Sequence, residues 1–211
     1  MIKEFCAENF TNIPKALSFG ASRVELCDNL AVGGTTPSAG VMEESIDYAH
    51  SHQAEVMTMI RPRGGSFVYH GAEVRIMQRD IELAKKLGSD GVVFGCLNES
   101  GWLDEATLIK LIALSQGMKI TFHMAFDQLS IDNQWKAIDW LAENGVSRIL
   151  THGGTEGTLI GDNISHLEKL ISYAGDRLII LPGGGINIDN MNEIVDRLGV
   201  NEVHGTRIVR L

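Results

Sequence analysis

Cys6 and Cys27 each close a short apolar run, and Met57 and Met59 lie in the run after them. Thiolate and thioether sulfurs are soft donors that select Cu(I) over harder ions. Two thiols converging from neighbouring strands would suit that ion. The competing reading is ordinary packing, because the spacing is no CxxC and free cysteine is among the most buried residue types. Cys96 stands alone after a later run and reads as structural. A second set of residues suits acid–base and anion chemistry. His123 is a candidate general acid or base near neutral pH. Glu25 could orient it, or act as the base where desolvation raises its pKa. Arg61 and Arg63 could clamp a carboxylate or phosphate in bidentate fashion, with Asp127 holding one of them in place. A third set is Gly183, Gly184 and Gly185 ahead of a helix start at Asn187 or Asp189, joined by His204, Thr206 and Arg207 after the last run. Glycines let backbone N–H groups close on an anion, and a helix N-terminus adds about half a positive charge. The plainer reading of the glycine run is a tight turn.

These residues recur at one kind of place. Eight strand-like runs, at 2–6, 23–27, 55–60, 91–94, 119–123, 148–150, 178–181 and 202–204, each end in a polar or glycine-rich cluster. Helical patterns lie between them, clearest at 42–51, 74–87, 103–115, 134–144, 164–174 and 188–198. Alternation of strand, turn and helix favours a parallel sheet. Gly20, Gly88, Gly145 and Gly199 repeat one C-cap signal at four helix ends. Chemistry gathered at the carboxyl ends of eight such units predicts an α/β fold, a TIM-like (β/α)8 barrel, forming one domain over residues 1–211. No eighth helical pattern follows the last run, so that helix is expected to be missing or atypical.

Side chains alternate along a strand. Parity therefore turns Cys6, Glu25, Cys27, Arg61, His123 and His204 inward at the mouth, with Glu4, Arg23 and Glu202 sharing the polar parity of their strands. Burying such groups costs several kcal/mol unless they are paired. A self-neutralised ion-pair layer, such as Glu25 with Arg61, is the bland alternative. A functional pocket is preferred because the polar residues coincide with the glycine-rich turns.

A formal net charge of −9, without any Lys/Arg cluster, argues against nucleic acid as a partner. No apolar stretch approaches the ~20 residues that cross a bilayer, and the N-terminus has no signal-peptide core. Three widely spaced cysteines make no disulfide framework. The expectation is a cytoplasmic protein with reduced thiols. His50, His52 and His166 fall on helix surfaces and are expected to be solvated, and His70 sits in a loop without a supporting partner.

Several stretches are more specific than pattern. They are Glu25-Leu26-Cys27, Gly33-Gly34-Thr35-Thr36-Pro37-Ser38, Met59-Ile60-Arg61-Pro62-Arg63-Gly64-Gly65 and Asp90-Gly91-Val92-Val93-Phe94-Gly95. Further along come Thr121-Phe122-His123-Met124-Ala125-Phe126-Asp127, Arg148-Ile149-Leu150-Thr151 and Pro182-Gly183-Gly184-Gly185-Ile186. In these the sequence resembles the CutC family, with MIRPRGG and GGTTPS as specific motifs; the closing His204-Gly205-Thr206-Arg207 is a looser match. The resemblance implies a TIM-like barrel, a cytoplasmic location and a role in copper homeostasis. It also places Cys6 and Cys27 at the positions proposed to bind copper. The expected partner is thus a copper ion, as Cu(I), or else a small phosphorylated or carboxylated metabolite turned over by a barrel enzyme. A homodimer is compatible with apolar surface near the last strand. The two readings part on the cysteines.

Overall fold

Strand β1 (Ile2–Glu8) lies between β2 (Arg23–Cys27) and β8 (Glu202–Gly205). The ladder runs on through β3 (Glu55–Met59), β4 (Gly91–Phe94), β5 (Lys119–Phe122), β6 (Arg148–Thr151) and β7 (Ile179–Pro182), every pair parallel. The computed structural model describes residues 1–154 and 157–211. The strands form a nearly closed barrel with helices between them, the TIM-like (β/α)8 fold that the alternation predicted. Among the described residues no ladder joins β7 to β8. That seam is bridged beyond the strands, where Ile188 N–H donates to the Arg207 carbonyl at 2.9 Å.

Among the described residues seven α-helices cover the outside: α1 (Ile13–Ser18), α2 (Ala39–Ser51), α3 (Gly71–Lys86), α4 (Glu105–Leu114), α5 (Ile131–Glu143), α6 (Ile164–Ala174) and α7 (Met191–Leu198). Each turns an apolar stripe onto the outward strand residues. Met77, Ile81 and Ala84 of α3 are buried at helical spacing, in the same core as outward residues of the adjacent β4 such as Val92 and Phe94. Side-chain caps set the starts. Ser38 Oγ accepts from Val41 N–H, so α2 begins three residues earlier than the apolar periodicity suggests. The helix expected from residue 188 starts instead at Met191, because Asn187 Oδ1 accepts from the N–H groups of Asp189 and Asn190 and holds that turn out of the helix. Gly20, Gly88, Gly145 and Gly199 all take positive φ after their helices, as the C-cap signal predicted. After β8 the described residues 206–211 form no helix, and Ile208 and Val209 are buried in the main core.

The barrel interior is not uniformly apolar. Its lower part is a charged layer. Glu4 pairs with Arg23, Arg23 reaches Glu202 at 2.5 Å, and Arg148 lies 3.4 Å from Glu202. Arg148 on β6 thus reaches past β7 to β8, so side chains tie the seam that the backbone leaves open. The ion-pair layer anticipated as the bland reading therefore exists, with other members than Glu25 and Arg61. Above it, Cys6, Cys27, Met57, Met59 and Val93 form a small separate cluster.

Candidate functional site

Register puts the sulfur cluster together. Cys6 faces Glu25 across the β1–β2 ladder, and Cys27 lies one step up, opposite Glu8. All three therefore turn the same way, as parity required. Their ligand atoms lie within 4.8 Å of one another, and all three residues are buried. Met57 and Met59 pack beside them with Leu30 at the rim. Beneath lies His204, whose Nδ1 is 2.8 Å from Glu4 and whose Nε2 is 3.4 Å from the Glu25 carboxylate. Burial works against charge on His204, yet Glu25, Cys6 and Glu4 together hold its pKa well above the usual imidazole value. Contact with Cys27, burial and the Glu25 charge push the Cys6 thiol well up. Contact with Cys6 pulls Cys27 down, but burial and the Glu25 and Glu4 charges outweigh it. The Glu25 carboxyl is raised by burial, with His204 opposing. Both cysteines are thus protonated at neutral pH over an imidazolium cation.

The GGTTPS and MIRPRGG loops close over this cluster. Arg61 is buried, with Nη1 donating to the carbonyls of Val32 at 2.7 Å and Gly34 at 2.9 Å, and Nη2 to that of Gly65 at 3.0 Å. The second glycine of GGTTPS has a reason. Gly34 takes φ +86°, and a Cβ there would stand 3.1 Å from the Cys27 sulfur. One loop therefore touches both the thiol and the guanidinium.

A cavity of about 800 Å³ opens beside them, walled by Arg61, Phe67, Asp127, His152, Gly184 and Gly185 among others. The cysteines are not among its walls. Several expected contacts take other forms. Asp127 holds neither arginine: it accepts from Thr151 Oγ1 and from His152 N–H at 2.9 Å, and burial raises its pKa. Arg63 turns away to Glu73, 2.5 Å off, and to the carbonyls of Gly64, Ser66 and Val68. His123 is not oriented by Glu25, which belongs to the His204 cluster. Its Nδ1 accepts from Ala125 N–H at 3.2 Å, and burial, with Arg61 adding, drives its pKa down to about 3. The ring is therefore neutral at pH 7.

Nor do the glycine run and the chain after β8 make one cradle. Gly184 and Gly185 line the cavity, while Gly183 N–H is taken by the Thr151 carbonyl at 3.0 Å. Thr206 and Arg207 are exposed, and the Arg207 backbone serves the seam. The side histidines differ in part from expectation. His166 is half-buried, 2.7 Å from Gln134 and edge-on to Trp135, and His70 N–H donates to Glu73 at 3.0 Å at the start of α3. His50 pairs with Asp90 at 2.9 Å and His52 stacks on Tyr48. Sequence reasoning missed Arg148 and His152. Arg148 had the same signal as Arg23, an arginine opening an apolar run, and His152 stands in a strand-end cluster like the rest.

The family comparison decides what kind of barrel this is. The CutC family pattern matches residues 1–209. The chain belongs to the CutC family. A family protein CutC of Enterococcus faecalis is 64% identical over 209 residues, covering 99% of this chain and 100% of that one. The copper homeostasis protein cutC homolog of Mus musculus is 39% identical over 203 residues, covering 96% of this chain and 72% of that protein. A solved CutC structure from Streptococcus agalactiae superposes with a TM-score of 0.96 at 46% identity, covering 99% and 100% of the two chains. In this CutC family member the two signature loops are thus the segments that wrap Arg61 and cover Cys27. Among the described residues no helix is long and apolar enough to cross a membrane.

Proposed function

We propose that this CutC family member binds one Cu(I) ion between Cys6 and Cys27 and serves copper homeostasis in the cytoplasm. The observation that carries the reading is the buried triad of Cys6, Glu25 and Cys27, with ligand atoms within 4.8 Å of one another. The donors fit a soft cation. Two sulfurs come from adjacent strands, and two thioether side chains pack beside them. Glu25 Oε1 is buried without a hydrogen-bond partner, so one hard donor is free to share in the charge. Copper is here the cargo. It displaces the two thiol protons as it binds, and the His204 imidazolium offsets the negative charge that the thiolates bring. The names of the mouse and human relatives, copper homeostasis protein cutC homologs, point the same way.

An anaerobic Cu(I) competition titration tests this, with wild type beside a Cys6→Ser/Cys27→Ser variant. Tight one-to-one binding that disappears in the variant is expected. Weak binding, or binding indifferent to the two cysteines, overturns the site.

A further inference from the structure

Among the described residues three arginines are buried: Arg23, Arg61 and Arg148. Arg23 and Arg148 share Glu4 and Glu202 as counter-charges. Arg61, only 4% exposed, has no carboxylate within ion-pair distance among the described residues. Its three partners are carbonyl dipoles, which fix the guanidinium in place without neutralising it. A buried, uncompensated charge is costly, and on the wall of a cleft it is a candidate for holding a ligand.

The hydrogen-bond inventory points the same way. Arg61 Nε is buried without a partner, and Nη2 uses one of its two hydrogens on Gly65. Nε–H lies on the side edge of the guanidinium, the edge that takes a carboxylate or phosphate side-on. His123 adds a second donor. Its Nδ1 accepts from Ala125, so the proton of the neutral ring sits on Nε2, and Nε2 is also buried without a partner. Both groups pack on one ring: Arg61 Cζ stands 4.9 Å from the Phe67 centroid, and the His123 ring 4.7 Å from it. Phe67 itself walls the cavity. Its carbonyl accepts from Leu97 N–H at 2.9 Å, which holds the backbone beside the donors. What waits there is a pair of unused donors, one of them cationic, that no carboxylate among the described residues answers, with the Tyr69 hydroxyl beside Arg61.

We propose that the mouth cavity binds a small hydroxylated organic oxyanion, a carboxylate or a phosphate monoester, with Arg61 on its wall as the donor and His123, packed on Phe67, as a second donor next to that wall. The opposite wall suits the body of such a molecule. Asp127, in the short segment after β5, and His152, just after β6, also wall the cavity and can meet hydroxyl groups. This site is separate from the copper reading, because the cysteines do not line the cavity.

Isothermal titration with glycerate and with glycerol 3-phosphate tests the proposal and tells the two head groups apart. Wild type is set beside Arg61→Lys, Val32→Glu and Cys6→Ser/Cys27→Ser. Val32 is half-exposed on the cavity wall and holds Arg61 only through its carbonyl, so Val32→Glu brings a rival carboxylate to the guanidinium without cutting that bond. It covers the case in which Arg61→Lys loosens the loops. At least one probe is expected to bind wild type with Kd below ~1 mM, to weaken at least tenfold in both Val32→Glu and Arg61→Lys, and to bind the double cysteine variant unchanged. Failure of both probes to bind wild type at ~10 mM overturns the proposal, and so does binding indifferent to Val32→Glu.

Discussion

Glu4→Gln removes the hub of the buried charge layer. One oxygen of Glu4 accepts from Arg23, and the other lies 2.8 Å from His204 Nδ1. Burial alone would raise this carboxyl. Arg23 and His204, with Arg148 behind them, outweigh burial and hold its pKa at about 2 against an ordinary 4.5. The folded value is the lower one, so the ionised group contributes stability above the unfolded value, and that contribution is lost as pH falls from about 5 towards 2. A gap of roughly 2.5 units at about 1.36 kcal/mol each gives about 3 kcal/mol. Breaking a buried ion pair from one side costs about 3–5 kcal/mol by general experience, which agrees. For a chain of this size that is a fall in Tm of about 6–12 °C. Urea unfolding of wild type and variant, followed by circular dichroism at several pH values, measures it. The difference between the two proteins should be about 3 kcal/mol near neutral pH and should shrink steadily below about pH 5. A loss under about 1 kcal/mol at neutral pH, or a difference that stays constant on acidification, refutes the account of the layer.

Two further outcomes follow from the same electrostatics. Because both thiols are raised in the metal-free protein, Cu(I) binding should release two protons, and affinity should rise by up to about a hundredfold per pH unit around neutrality. Calorimetry in buffers of different ionisation enthalpy counts those protons, and a count of zero rules out thiolate ligation. The His123 ring, held near 3 by burial and Arg61, should stay neutral in an NMR titration down to about pH 5, and a midpoint close to 6.5 would contradict its burial beside an unpaired guanidinium.

The barrel was legible because its evidence is repetitive. Each run ends in its own polar cluster, and four helices end in the same glycine signal, so errors of a few residues at α2 and α7 did not disturb the topology. The convergence of Cys6, Glu25 and Cys27 was legible as well, since period-two parity and strand adjacency need no knowledge of loops. Partner choice was not. Asp127 was expected on an arginine and is held by Thr151 and His152 instead, because its short 3₁₀ segment (Met124–Gln128) turns it towards β6. Arg61 and Arg63 look equivalent two residues apart, yet one is buried under backbone carbonyls and the other meets Glu73 on α3. Such choices depend on where a loop folds back, and spacing along the chain carries no record of that.

The pairing of β1 with β8 has a consequence for the chain as it is made. Glu4 and His204 stand 200 residues apart, so at ~5–20 residues per second the first strand waits roughly 10–40 s for its second neighbour to be synthesised. During that interval one edge of β1 has no partner, and an open edge is a template for strands of other nascent chains. An inward-pointing charge is a known guard on such edges, and Glu4 puts one in the middle of this strand. The carboxylate that braces the finished barrel is thus also a charge of the kind that discourages such docking.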